Sequence, residues 1–512
     1  MMPGVTDDAL LPADSEQTAV RKEKRARLLA AGTEAYPADL VRSHRLSEVR
    51  SHWDEKLPEA GDESQDVVAI GGRVVFIRNT GKLAFATLQD GFTPDTDNTD
   101  DTGERLQVML SLAEVGEEAL AAWKSDVDLG DHVWVEGRVI RSKRGELSVM
   151  AARWRMASKA LRPLPVLHKD LSEEARVRRR YVDLIVRDEA RQMVRKRSEI
   201  TRAIRQTLYG QGYMEVETPI LQLVHGGAAA RPFETHLNAF DIDMSLRIAL
   251  ELHLKRTMVG GADRVFELGR VFRNEGIDSS HSAEFTMLEA YQSWGDQATI
   301  ARLTQDIVVA AADAVGSRQV TTAKGEVDLD GVWPWLSFYP GLSGAVGEEV
   351  TVETPVERLR ALADAREIEY DPKWDAGKMA MELFSEIVEP TLIQPTFVCD
   401  YPSLAQPLAR PHRAEAGKVE AWDLIIAGME RGTGFTELID PVVQRDVLVA
   451  QSLKAAAGDP EAMQLDHDFI EALEYGVPPM GGMGLGVDRL VMLLTGVGIR
   501  ETILYPLLRP QG

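Results

Sequence analysis

The hydrophobic period changes once along this chain, and that change limits the fold more than any other feature. From Val67 to Ala157 the sequence is a series of short β-rich runs. They are Val67-Val68-Ala69-Ile70, Arg73-Val74-Val75-Phe76-Ile77, Leu83-Ala84-Phe85-Ala86-Thr87-Leu88, Leu106-Gln107-Val108-Met109-Leu110, His132-Val133-Trp134-Val135-Glu136 and Leu147-Ser148-Val149-Met150. Gly-rich or acidic turns separate them, and the polar, acidic stretch 90–104 reads as a surface loop. After Tyr181 a long helical stretch, 189–210, leads into alternating strands and helices up to the C-terminus. The segment 158–165 between the two patterns has linker chemistry, because its prolines forbid a helix.

Domain boundaries follow from these changes. Residues 1–15 are expected to be disordered, 16–66 to be a helical extension, 67–160 a small barrel and 161–180 a linker. Residues 181–512 then form a second domain, with a subdomain inserted at 335–395 that has its own Trp/Pro start and a helix-like stretch at 356–365. Five or six short strands suit a small barrel, and the OB-fold is the commonest small barrel that meets single-stranded nucleic acid. A chain of 512 residues is too long for one ordinary core. Its single cysteine, Cys399, cannot form an intramolecular disulfide and excludes cysteine-based zinc sites. No apolar run approaches the roughly 18 residues of a membrane span. The start, Met1-Met2-Pro3-Gly4 followed by Asp7 and Asp8, lacks the features of a secretory signal, so the expectation is a cytoplasmic protein with no membrane partner.

The charge balance does not suggest a nucleic-acid partner. Asp and Glu number 81 against 58 Lys and Arg, a net charge of −23. Net charge governs solubility and long-range repulsion, however, whereas a nucleic acid meets a local patch. One basic run exists, Arg21, Lys22, Lys24, Arg25 and Arg27 within the helical stretch 16–31. It reads equally as a solvated amphipathic helix or as an RNA-facing one.

Three segments of the second domain carry chemistry. Gly212-Tyr213-Met214-Glu215-Val216-Glu217-Thr218-Pro219-Ile220 is a helix end running into a strand that stops at a proline. Arg270-Val271-Phe272-Arg273-Asn274-Glu275-Gly276, the polar loop 277–283, and Glu284-Phe285-Thr286-Met287-Leu288-Glu289-Ala290-Tyr291 read as strand, loop and strand. Alternation puts Phe285, Met287, Glu289 and Tyr291 on one face. A carboxylate between apolar and aromatic neighbours is costly unless it meets a cation or hydrogen-bond donors, so Glu289 is a candidate binding group. The third segment, Gly481-Gly482-Met483-Gly484-Leu485-Gly486, precedes an apolar helix bearing Arg489. Its glycine spacing and C-terminal place exclude a dinucleotide fingerprint, and the P-loop lysine is absent. Arg489 suits a phosphate, given its fork of donors and glycines that let a ligand approach.

In this order and at these separations, the three segments resemble motifs 1, 2 and 3 of the class II aminoacyl-tRNA synthetases. Arg180-Tyr181-Val182-Asp183-Leu184, Gly226 to Phe233, Leu246-Arg247-Ile248-Ala249-Leu250-Glu251-Leu252 and Gly434-Phe435-Thr436-Glu437-Leu438 are similar to the lysyl branch, of bacterial type. The resemblance implies an α+β multidomain protein. An N-terminal OB-fold would precede a class II catalytic domain built on an antiparallel sheet flanked by helices. It implies lysine, ATP and tRNA(Lys) as partners, up to three Mg²⁺ ions per subunit, and a homodimer formed through motif 1.

Site roles also follow from the resemblance. Glu251 matches the acid that holds the α-ammonium of lysine. Arg273 matches the arginine bridging the substrate carboxylate and the ATP α-phosphate. Glu289, Tyr291 and Glu437 match the groups around the ε-ammonium. Phe285 matches the aromatic on adenine, Glu275 and His281 match loop residues near ATP, and Arg489 matches the arginine on the γ-phosphate. Asp423 and Glu430 match the Mg²⁺ carboxylates, and their spacing places them on one helical face or along one strand-turn. Arg78, Phe85 and Gln89 match the anticodon-reading positions, although Phe85 also fits ordinary barrel core. Several positions depart from the family. Asp423 stands in place of Glu, Thr433 in place of an Asn beside the substrate carboxylate, Ser282 in place of another Asn, Leu250 in place of Pro and His253 in place of Tyr.

The implied reaction needs no general base, because a carboxylate already ionised at neutral pH can attack the α-phosphate in line. Two other readings share part of the pattern. An aspartyl or asparaginyl synthetase would need a cationic pocket where this chain supplies Glu289 and Glu437. A lysine ligase for a non-tRNA acceptor would be expected to lack the barrel or to carry membrane spans.

Overall fold

A computed structural model describes residues 15–93, 105–165, 171–403, 406–456 and 463–509. The stretches 1–14, 94–104 and 166–170, which hold the expected disordered start, most of the acidic loop and part of the linker, lie outside the described residues. The chain divides into two compact units, one ending at Arg191 and one beginning at Gln192.

In the first unit, strands β1 (Glu63–Asn79), β2 (Leu83–Gln89), β3 (Arg105–Ser111), β4 (His132–Arg141) and β5 (Leu147–Ser158) close into a barrel in the order β1-β2-β3-β5-β4. The six β-rich runs make five strands, because the first two are one strand of 17 residues. A register shift between Val74 and Phe76 bends it. Its earlier residues, Val67 to Arg73, pair with β4, and those from Arg73 to Asn79 pair with β2. A bulge lets one strand turn a barrel corner in this way. Alternation fills the interior: Leu106, Val108 and Leu110 of β3 are buried while Arg105, Gln107 and Met109 are half-buried. A helix, Leu112–Asp126, follows β3 with Ser111 accepting from the Glu114 amide at 3.2 Å, and it seats Leu120 and Trp123 in the barrel core. Gly116, at φ 81°, interrupts its helical geometry, so no continuous apolar period announces it in sequence.

The basic stretch near the start is helix α1 (Glu16–Ala30), and most of its charge is used internally. Arg21 is buried and donates to the carbonyls of Leu129 and Ala160 at 2.9 and 3.1 Å. Lys24 pairs with Asp128 at 2.6 Å and Arg27 with Asp126 at 2.9 Å. Arg21 and Lys24 tie the helix to its own unit, while Arg27 stays exposed, as a solvated face would have it.

The second unit is built on an eight-stranded sheet. Its strands are β6 (Met214–Glu215), β7 (Arg264–Phe272), β8 (Glu284–Ser293), β9 (Trp335–Ser337), β10 (Thr396–Cys399), β11 (Ala421–Ile425), β12 (Glu430–Thr436) and β13 (Met480–Gly486). The order is β9-β10-β11-β12-β13-β8-β7-β6. The interior pairings are antiparallel, as expected, whereas each edge pair, β6 with β7 and β9 with β10, is parallel. Strand β8 shows why alternation is informative here. Leu288 and Ala290 belong to the main apolar cluster with Ile300, Ile307 and Leu490, while Phe285, Met287 and Tyr291 face a second cluster around Leu250, Leu254 and Val265. Residues 335–395 contribute the helices Phe338–Val346, Val356–Asp364 and Ala376–Ile387, whose buried side chains share one cluster with Val398, Ala421 and Ile425 of the sheet.

Candidate active site

The exposed loop 273–283 joins β7 to β8, and the site lies along the face of the sheet beneath it. Helix α2 (Glu251–Val259) brings Glu251, and the segment just after β12 brings Glu437. Glu251, Glu289, Tyr291 and Glu437 are all buried. Glu289 is held from two sides: its Oε1 accepts from the Leu250 amide at 2.8 Å, and its Oε2 accepts from the Tyr291 hydroxyl at 3.1 Å. The first of these bonds caps the N-terminus of α2, where the helix dipole favours a carboxylate. Departure from the family at Leu250 therefore has a structural meaning, because proline there would remove this donor.

Burial raises the proton affinity of all three carboxylates, and Glu251 raises that of the other two further. Burial pushes Glu289 up to about 8, with the charge of Glu251 adding to it. Burial also pushes Glu437 up to about 8, although an adjacent ammonium opposes the rise. That ammonium belongs to Lys255, which the sequence reading missed. It is fully buried, lies 2.5 Å from Glu251 Oε1 and also pairs with Glu437 Oε2. Glu437 Oε1 is buried without a hydrogen-bond partner. It rests against Gly482 of β13, where an added Cβ would collide with that oxygen and lie 2.7 Å from Tyr291 Cδ1. The glycine is needed because two side chains occupy the space a third would fill.

Arg273 and Phe285 stand together, the guanidinium 5.3 Å from the ring centroid, and Arg273 Nε donates to the Ile248 carbonyl at 3.3 Å. Burial lowers the proton affinity of Arg273, while Glu275, Glu430 and Glu289 counter that effect. Arg273 thus lies within the fields of both the acidic pocket and a second cluster. Thr433 bridges the same interval: a Cβ on Gly484 would be 3.8 Å from both Glu289 Cγ and Thr433 Cγ2.

The second cluster forms on the hairpin of β11 and β12, which resolves the spacing of Asp423 and Glu430 as a strand-turn and not a helical face. Burial and the nearby charge of Glu430 push Asp423 up to about 7. Helix α3 (Val487–Thr495) presents Arg489, which donates to the Glu430 carbonyl at 3.2 Å and lies 3.7 Å from its carboxylate. His281 from the loop meets Arg489 Nη2 at 3.2 Å, and its Nδ1 meets Asp278 at 2.8 Å. Glu275 is exposed and accepts from the Arg231 amide at 3.4 Å. Asp488, the residue before Arg489, also went unnoticed in the sequence. It accepts from the Thr286 amide at 2.7 Å and pairs with Arg197 at 2.5 Å, fixing the first turn of α3 against β8.

Among the described residues, no group of three or more His, Cys, Asp or Glu side chains is arranged to hold a metal. Asp423, pushed up by burial and by the nearby charge of Glu430, would with Glu430 nevertheless suit Mg²⁺, which keeps several waters and takes one or two protein carboxylates beside substrate phosphates.

In the barrel, Arg78 and Phe85 face one another across β1 and β2, with the guanidinium 4.7 Å from the ring. Phe85 is half-buried and lines an open cavity with Phe76, Arg105, Gln107, Arg141 and Lys143, not the barrel core. Gln89 is not part of this group. It is buried and lines a separate cavity with Gly72, Arg73 and His132. Strand parity puts Gln89 on the Phe85 face, but the strand has run past the cavity by that point. Gln107, on β3, is the glutamine that faces Phe85's cavity.

The chain belongs to the class II tRNA synthetases for aspartate, lysine and asparagine, whose family model, "tRNA synthetases class II (D, K and N)", matches residues 172–509. Within that class, it is 56% identical over 499 residues to the lysine–tRNA ligase of Kineococcus radiotolerans, with 97% of each chain covered. It is 54% identical over 506 residues to the lysine–tRNA ligase of Mycobacterium tuberculosis, covering 97% of this chain and 98% of the other. A third relative is the lysylphosphatidylglycerol biosynthesis bifunctional protein LysX of Mycobacterium avium. That protein is 45% identical over 503 residues, which span 97% of this chain and 41% of its own.

Proposed function

We propose that this chain ligates lysine to tRNA, activating it first with ATP. The observation that carries the reading is the buried cluster Glu251, Glu289, Glu437 and Tyr291, a site with more anionic than cationic groups at the end of a sheet shared with Arg273. Lys255 does not convert it into a pocket for aspartate, because two carboxylates already claim its ammonium. Glu251 takes the α-ammonium of lysine. Glu437, with Glu289 and Tyr291, takes the ε-ammonium, and Arg273 takes the carboxylate. A carboxylate oxygen then attacks the α-phosphorus of ATP, pyrophosphate leaves, and the adenylate forms. In the second step the 3′-hydroxyl of the terminal tRNA ribose attacks the carbonyl carbon and AMP leaves.

The protein's part is orientation and charge neutralisation. Phe285 offers its ring to adenine beside Arg273, Arg489 and His281 receive the γ-phosphate, Glu275 lies near ATP, and Thr433 lies beside the substrate carboxylate. Asp423 and Glu430 would hold Mg²⁺, which supplies charge neutralisation on the phosphates. The barrel is read as an OB-fold whose open face, with Arg78, Phe85 and Gln107, stacks and contacts anticodon bases. An aromatic–base stack is worth about 1–3 kcal/mol. The second unit is read as a homodimer through motif 1, where Tyr209, Met214, Ile220, Leu221, Leu223 and Phe240 are exposed apolar side chains that a partner copy would cover.

ATP–pyrophosphate exchange across the twenty amino acids tests the core of this reading: lysine should support it strongly. A comparable rate with aspartate or asparagine would overturn it. Among the described residues no helix is long and apolar enough to cross a membrane. Transfer of lysine to tRNA, measured beside transfer to phosphatidylglycerol vesicles, decides the acceptor.

A further inference from the structure

The acidic pocket already contains a cation, and its placement is specific. Lys255 lies one turn along α2 from Glu251, with its ammonium between Glu251 Oε1 and Glu437 Oε2 and 5.5 Å from the centroid of the Phe435 ring. Glu–Lys pairs four residues apart usually sit on a solvated helix face and contribute little. Here both side chains are buried, and the lysine bridges a helix to a segment 182 residues further along the chain, at Glu437. Burial works against the charge of Lys255, yet Glu251 and Glu437 outweigh it and raise its proton affinity.

The formal charges then balance in one way. With all three ionised, Glu251, Glu289 and Glu437 carry three negative charges and Lys255 one positive, leaving two uncompensated. A zwitterionic amino acid with a second ammonium supplies two positive charges to this pocket and directs its carboxylate to Arg273. An amino acid with a neutral side chain leaves one buried carboxylate without a partner, which is strongly unfavourable.

We propose that Lys255 is a positioning and specificity-determining residue, whose ammonium staples the carboxylate for the substrate α-ammonium to the carboxylate for its ε-ammonium and so fixes the length of diamino acid accepted. The proposal rests on the reading of this pocket as the lysine site. Neither Glu437 oxygen has a hydrogen-bond partner, but Lys255 pairs with Oε2 and so leaves Oε1 for the substrate. Because the same ammonium holds Glu251, the distance between the two substrate-binding carboxylates is set from within the protein. Ornithine, shorter by one methylene, keeps both charges but cannot satisfy both ends at once. One missing methylene is ordinarily worth about 10–200-fold in kcat/KM.

The test is lysine- and ornithine-dependent ATP–pyrophosphate exchange by the full-length wild-type protein, Lys255→Met and the double variant Lys255→Met/Glu437→Gln. Wild-type exchange with lysine establishes the pocket. Without it the reading of the site fails, and the proposal fails with it. Given that exchange, Lys255→Met should raise the lysine KM and reduce the lysine-over-ornithine ratio of kcat/KM about tenfold or more, with the ATP KM unchanged. The double variant removes one charge of each sign. It serves if the single variant does not fold, and its lysine-over-ornithine ratio should fall below that of Glu437→Gln alone. A folded variant with a lowered melting temperature but the wild-type lysine-over-ornithine ratio would make Lys255 a structural ion-pair partner and overturn the proposal.

Discussion

Replacing Gly482 by alanine adds one methyl group to a strand whose backbone tolerates it, so the effect is steric alone. The new Cβ would overlap Glu437 Oε1 and lie 2.7 Å from Tyr291 Cδ1, about 1 Å inside ordinary carbon–carbon contact. Tyr291 has little freedom to retreat, being packed with Leu250, Leu254 and Val265, so the Glu437 carboxylate must swing away. Overpacking of this kind costs about 1–3 kcal/mol of stability. Binding should suffer more, because the displaced carboxylate no longer meets the ε-ammonium. Breaking a buried charge pair costs about 3–5 kcal/mol, or about 10²–10⁴-fold in affinity. The loss should appear in the lysine KM, since the contact is remote from the reacting carboxylate and is made before and during reaction alike. The ATP KM should stay within about twofold, because Arg489, Asp423 and Glu430 lie in the other cluster. Exchange kinetics and a melting curve on one preparation provide the readout. A folded Gly482→Ala protein with an unchanged lysine KM would refute the placement of the ε-ammonium at Glu437.

Three further outcomes are expected. Glu437→Gln keeps shape but removes the charge, so the lysine KM should rise by about two decades with the ATP KM unmoved; a fall in kcat with worsened ATP dependence would instead place Glu437 with Mg²⁺. Because Glu289 and Glu437 are pushed up to about 8, a cation binds their ionised forms fully above that pH and loses them as pH falls through it. The lysine KM, measured from pH 8.5 to 6.5, should therefore climb below 8 by about tenfold per unit for each carboxylate that protonates, and a flat profile would contradict the buried-carboxylate account. Phe85→Ala and Gln107→Ala should each weaken tRNA charging while leaving exchange intact, whereas Gln89→Ala should affect charging only through barrel stability; equal losses in both assays for Phe85→Ala would return that residue to the core.

Local rules made part of this molecule readable in advance. Alternation on β8 placed Glu289 and Tyr291 together from the sequence, since a strand's period is independent of what it packs against. Gln89 came from the resemblance and not from alternation, and it lines a different cavity from Phe85 because strand parity fixes a face and not how far along it a cavity extends. The joining of two β-rich runs into β1 depended on a bulge near Val75, which has no residue signature here. Lys255 was hidden for a different reason. Its spacing from Glu251 is that of a surface helix pair, and only the arrival of Glu437 from beyond β12 turns it into a buried bridge. Asp488 was equally invisible, because its partners Thr286 and Arg197 lie hundreds of residues away in sequence.

Strand β8 has one further consequence. Its even-numbered residues Leu288 and Ala290 fill the apolar interior, and the odd-numbered Glu289 and Tyr291 between them line the pocket. A slip of one position would exchange the two sets, sending a carboxylate into the core and leucine into the pocket. Errors in folding at this strand therefore cannot yield a well-packed enzyme with altered preference. A misregistered chain would be unstable before it could charge tRNA with the wrong amino acid, so translational accuracy is protected here by the same pairing that holds the sheet together.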